Sequence, residues 1–172
     1  VLEERSNDES GSVVWACLEG NRPILVEMQA LVAKTPYGMP RRTAVGFDYN
    51  RVTMLLAILE RRLGMDFGAY DAYVNVVGGM KVTEPAADLA VAAALVSSYR
   101  NRPIPHGVLV MGEVGLTGEV RRIGSPERRI KDAMNLGFKR FVLPMGKLSL
   151  DEPCNGIVQV KTLEEALDKV FA

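Results

Sequence analysis

The sequence predicts an α+β fold, because strand-like and helix-like stretches are mixed without the regular alternation of a parallel dinucleotide-binding sheet. Hydrophobic residues make up 48% of the 172, enough apolar surface for one substantial core. No internal repeat and no low-complexity segment divides the chain, so one domain suffices.

The elements follow in order. Residues 1–12, VLEERSNDESGS, carry Glu3, Glu4, Asp8 and Glu9 against Arg5 and read as an acidic linker from an upstream domain, with the folded domain spanning 13–172. SVVWACLEG and RPILVEMQALVAK, broken by Gly20, Asn21 and Pro23, are paired strands with a tight turn. TPYGMP is a loop and RRTAVGF a third strand. Asp48 caps a helix whose Val52, Leu55, Leu56, Leu59 and Leu63 share one face, with Gly64 past its end. AYVNVVGG is a strand. From Ala86 to Val96 the next helix is apolar except for Asp88, so it is buried on most sides; Thr83 suits its cap and Pro85 its first turn. HGVLVMGEVGL and GEVRRI are two strands around Thr117–Gly118. Ser125 caps a helix that begins at Pro126 and stops at Gly137, FKRFVLP is a strand, and Thr162 with Glu165 forms a capping box for the last helix.

Composition excludes several function classes. Lys plus Arg and Asp plus Glu are both 21, so only a local basic patch points to nucleic acid. No apolar run is long enough to span a membrane, and no signal peptide opens the chain. Cys17 and Cys154 lack metal-ligand spacing, so no zinc site is expected and a reduced, cytoplasmic setting follows. His106, the only histidine, sits in RPIPHG and reads as a turn residue. Neither GxxxxGK[ST] nor GxGxxG occurs; Gly112, Gly115 and Gly118 serve bulges and a turn.

The run EPAADLAVAAALVSS through RPIPHGVLVMGEVGLTGEVRRIGSPERRIKDA resembles the proteolytic domain of Lon proteases. In that family a GPSAG motif opens a buried helix, and a later helix carries a lysine. The resemblance puts the nucleophilic serine at Ala86 and the catalytic lysine at Arg129, and replaces a motif glycine by Asp88. It implies the Lon proteolytic-domain fold, similar to the second domain of ribosomal protein S5. Such a dyad needs a hydroxyl and an amine able to shed its proton. Alanine supplies no nucleophile, and arginine stays protonated. Asp88 has two readings: an ion pair with Arg129, or a cap on its own helix. Ser97 and Ser98 lie roughly 16 to 18 Å along the helix from Ala86 at 1.5 Å per residue. They cannot replace the nucleophile, and neither Ser125 nor the spare amines Lys81 and Lys131 restores a dyad.

GSVVWACLEGNRPILVEMQALV, RRTAVGFDYNRVTMLLAILERR and VNVVGGMKVTEPAADLA resemble the C-terminal Lon-like domain of the RadA (Sms) family of bacterial DNA-repair proteins. That resemblance implies a missing upstream zinc finger and RecA-like ATPase, with Zn, ATP and Mg bound there and no cofactor or metal in this fragment. It implies a hexameric ring acting in homologous recombination and branched-DNA processing, with single- or double-stranded DNA, other copies of the chain and recombination proteins as partners, and no membrane. Three roles are open: a DNA-binding, ring-forming scaffold; residual proteolysis; or an oligomeric module without DNA contact. The scaffold draws on a local basic bias. Arg100, Arg102, Arg121, Arg122, Arg128, Arg129 and Lys131 stand against Glu113, Glu119 and Glu127, and Arg41–Arg42 adds a further pair. The competing reading of each is a solvated surface charge.

Overall fold

β1 (Ser12–Glu19) and β2 (Arg22–Lys34) form a hairpin in register from Ser12 opposite Gln29 to Glu19 opposite Arg22, closed by Gly20–Asn21. In the computed structural model, which describes residues 9–172, this hairpin is the middle of a seven-stranded sheet. The acidic lead-in falls outside the described residues up to residue 8. Its last part is already in the fold: Gly11 N–H donates to Ser97 Oγ, Gly11 C=O accepts from Ala30, and β1 starts at Ser12.

The remaining strands are β3 (Arg42–Val45), β4 (Tyr70–Val76), β5 (Val108–Val110), β8 (Arg140–Pro144) and β9 (Ile157–Val160), giving the order β3-β4-β2-β1-β5-β8-β9. β2 is antiparallel to β1 and β4, whereas β3–β4, β1–β5, β5–β8 and β8–β9 are parallel. The fold is therefore mixed, with a mostly parallel sheet. Its C-terminal half has more of the α/β character than the sequence suggested, because β9, a short strand after the 149–156 loop, carries no clear alternation and escapes a pattern search. A separate two-stranded ribbon, β6 (Glu113–Val114) and β7 (Val120–Arg121), splits what reads as one long strand after β5.

Four helices cover the sheet: α1 (Tyr49–Leu63), α2 (Asp88–Arg100), α3 (Pro126–Asn135) and α4 (Leu163–Phe171). α2 and α3 both pack on β1 and β2. Ser12–Cys17 are accordingly buried on successive residues, as in a strand covered on both faces. α1 matches its sequence signals: Asp48 accepts from Asn50 N–H and Gly64 closes the helix at φ 69°.

Three cap assignments differ. Thr83 does not cap the buried helix; a single 3-10 turn, Pro85–Ala87, precedes α2, and Glu84 stands at its cap without capping it. Ser125 adopts a left-handed backbone (φ 52°) and makes no capping hydrogen bond. Thr162 caps α4 through Glu165 N–H, but the Glu165 carboxylate accepts from Lys161 N–H rather than closing the box at Thr162.

Candidate functional site

The 3-10 turn is locked to the segment after β5. Gly112 N–H donates to Ala86 C=O, and Leu89 N–H donates to Gly112 C=O. A side chain at Gly112 would come within 2.8 Å of Val120, so the approach needs glycine. Ala86 and Ala87 are thereby buried at the mouth of α2, with a methyl group where the family resemblance expects a hydroxyl.

Asp88, fully buried, pairs with neither predicted partner. Its carboxylate accepts two bonds from the Arg51 guanidinium, one of them from Nε at 2.8 Å, and a third from Val114 N–H at 3.1 Å. The expected pair with Arg129 and the expected cap on its own helix are both replaced by a cross-link from α2 to α1 and β6. Burial pushes the Asp88 carboxyl above its ordinary range, with the Arg51 fork and the Val114 N–H pulling against it. Arg51 in turn is held more firmly protonated by that hydrogen bond.

Arg129 is also fully buried, and its partner is Glu84, two residues before Ala86. Nη1 donates to Glu84 Oε1 at 3.0 Å and to Ala16 C=O at 2.7 Å, Nη2 donates to Glu84 Oε2, and Nε donates to Gly124 C=O at 2.9 Å. Glu84 Oε1 also accepts from Leu18 N–H. One guanidinium thus ties α3, β1, the turn before α3 and the mouth of α2 together.

This arrangement supports no acyl transfer of the dyad type. Ala86 has no nucleophile, and the Arg129 guanidinium keeps its protons and offers no lone pair to act as base. Cys17 Sγ lies close enough to the network to feel the Glu84 and Arg129 charges. Burial, then the Glu84 charge, push that thiol up to about 11 despite Arg129, so it stays protonated and inert. Ser97 Oγ accepts from Gly11 N–H and donates to Arg102 C=O at 2.6 Å, and Ser98 Oγ accepts from Val32 N–H. Both hydroxyls are structural. Among the described residues no three His, Cys, Asp or Glu side chains are grouped as a metal site.

A protein-family profile described as Subunit ChlI of Mg-chelatase matches residues 29–147, more than half of the chain. The chain belongs to that family. Proteins named DNA repair protein RadA from Halalkalibacterium halodurans, Pseudomonas aeruginosa and Bacillus subtilis are 47%, 51% and 48% identical over 97%, 94% and 96% of this chain. The matches take in 37%, 36% and 37% of those proteins, so the chain spans about a third of the length of the curated relatives it resembles, consistent with a C-terminal piece of RadA.

The basic residues singled out in this ChlI-family chain scatter. Arg129 is internal and withdraws from any phosphate-contacting set, because its charge is spent on Glu84 and two carbonyls. Arg42 turns inward onto Phe67 C=O and Tyr70 C=O. Arg102 donates to Phe171 C=O and stacks over the Phe171 ring. Arg128 donates to Asn21 C=O and shares a groove of about 630 Å³ with Arg22, Lys131, Glu127, Asp132, Asp151 and Glu152. Arg41, Arg100, Arg121, Arg122 and Lys131 are exposed. Arg129 therefore leaves the exposed basic set, while Arg121, Arg122, Arg128 and Lys131 stay at the surface.

Two functional partners escaped sequence reasoning, Arg51 and Glu84. Arg51 had a legible signal: a cation in the first turn of α1 opposes the helix dipole, so something else must hold it there. Glu84 had a weaker one, as a residue type seldom chosen for a helix cap.

Proposed function

We propose that the chain is a Lon-like domain without protease activity from a DNA repair protein of the RadA type, serving as a ring-forming and DNA-contacting scaffold for an ATP-driven RecA-like motor. The observation that carries this is the pairing of near-complete coverage by relatives named DNA repair protein RadA with Ala86 and a buried Arg129 at the two dyad positions. The domain keeps the mouth of α2 as architecture and uses two ion pairs where the family resemblance expects chemistry. DNA contact is sequence-independent and made through phosphates, since the exposed cations are Arg and Lys and few aromatic rings are available for stacking. Zn, ATP and Mg belong to segments outside this chain, recombination proteins are further partners, and the setting is cytoplasmic. Among the described residues no helix is long and apolar enough to cross a membrane.

The test has two arms. Peptide cleavage and labelling by serine-directed probes should both be absent; labelling of a serine that tracks with cleavage overturns the non-proteolytic reading. Duplex and single-stranded DNA titrated at several salt concentrations should bind with an affinity that falls steeply with salt. An assembled ring with no such binding leaves an oligomeric module without DNA contact.

A further inference from the structure

The fold assembles a pair of cations that are 25 positions apart in sequence. Arg122 follows β7, and Lys147 lies in the loop after β8. Both line one cleft of about 280 Å³, whose other walls include Ile123, Pro126, Leu143 and Leu148. The sole acid lining it is Glu127, and that carboxylate already accepts from Ser149 N–H at 3.2 Å. Gln159 crosses behind, donating to Gly146 C=O at 2.6 Å and so fixing the backbone next to Lys147. Arg122 and Lys147 are exposed, and no hydrogen bond or ion pair to either is seen among the described residues. Arg121, also exposed, stands outside the cleft, opposite Glu113 in the β6–β7 register and within reach of the Glu119 charge.

The contrast with the neighbouring groove decides between surfaces. There Arg22, Arg128 and Lys131 face Glu127, Asp132, Asp151 and Glu152, so the cations are outnumbered and Arg128 is engaged with Asn21. A polyphosphate chain is attracted where cation charge is uncompensated, and each phosphate it gives up to a protein cation releases a counterion.

Resting on the DNA-contacting reading above, we infer that the Arg122–Lys147 cleft is the surface that seats the phosphate backbone of DNA, and that the Arg128–Lys131 groove is not. Lys147 is thereby a binding residue that sequence neighbourhood does not reveal. No aromatic residue lines the cleft, so the contact reads backbone charge and not base identity.

The experiment titrates a fluorescent duplex with the 172-residue chain between about 50 and 200 mM salt, alongside R122A/K147A and R128A/K131A. R122A/K147A should weaken binding about ten- to a hundredfold and flatten the salt slope by about two ions per domain, and R128A/K131A should leave both near the parent values. Lys147→Arg should retain binding. Thermal melts of each variant confirm that the fold is intact, as expected for exposed side chains. Loss confined to R128A/K131A overturns this inference while leaving DNA contact standing. Absence of salt-dependent binding by the unsubstituted chain overturns the DNA reading itself. Duplexes of different base composition should bind alike; a strong composition preference also overturns the inference.

Discussion

The two ion pairs near the mouth of α2 are mirror images. In one the base is sealed, Arg129 at 0% exposure, and the acid Glu84 keeps 25% of its side chain in solvent. In the other the acid is sealed, Asp88 at 0%, and the base Arg51 keeps 27%. The chemistry of the buried member dictates how each is accommodated. A guanidinium cannot neutralise itself, so Arg129 is surrounded by carbonyl and carboxylate oxygens from three segments. A carboxylate can take up a proton, so Asp88 survives with one fork and one backbone N–H. The first pair is a rigid joint with no escape, and the second has a protonation route out.

The largest expected effect breaks the first pair. Glu84→Gln leaves a permanent buried cation short of its counterion and should destabilise the fold by about 3–5 kcal/mol, read from chemical denaturation. Adding Arg129→Met should recover part of that loss, because the stranded charge goes with it. Additive costs in this cycle would show that the pair is not coupled.

A smaller effect sharpens the contrast. Arg51→Met should cost about 1–3 kcal/mol at neutral pH, since Asp88 can protonate. The pH dependence has a definite sign. Burial raises the folded-state pKa of Asp88 above its unfolded value, so the fold binds that proton more tightly. Its contribution is full below the unfolded value, about 3.9, and is lost as pH rises through the raised folded value. The penalty for Arg51→Met should therefore shrink toward pH 4 and grow as pH rises through the raised folded value. A flat pH profile for Arg51→Met would erase the distinction.

The smallest effect is chemical. Cys17 adjoins the Arg129–Glu84 joint, with its thiol pushed up to about 11, while Cys154 is only half-buried. A mild alkylating reagent at pH 8 should modify Cys154 in the native protein and spare Cys17, as checked by peptide mass. Modification of Cys17 at a comparable rate would show that the joint opens.

Much of the fold was legible because its signals are local. The Asp48 cap, the apolar spacing from Val52 to Leu63, the Gly20–Asn21 turn and the unbroken apolar run of α2 each declare an element by themselves. The residue types at Ala86 and Arg129 were legible for the same reason, since each is read from a single position. Partnership was not legible. Asp88 and Arg51 are 37 positions apart, and Arg129 and Glu84 are 45 apart. Helical periodicity ranks faces but does not say which of several arginines meets which carboxylate. The basic candidates mix two roles, since Arg128 and Arg129, adjacent in sequence, project in different directions from α3, one onto Asn21 and the other into the core.

Ser97 has a consequence of another kind. Its hydroxyl spends its proton on Arg102 C=O and a lone pair on Gly11 N–H, at a position with no solvent exposure. The amide hydrogen of Gly11 is therefore sealed by a side chain, outside any ladder of backbone bonds, and should exchange with solvent as slowly as hydrogens of the sheet centre. Displacement of Gly11 bears directly on the C-terminal end of α2, whose other end is the mouth where Asp88 and Glu84 make their pairs. The helix runs as a strut between the entry to β1 and the two ion pairs.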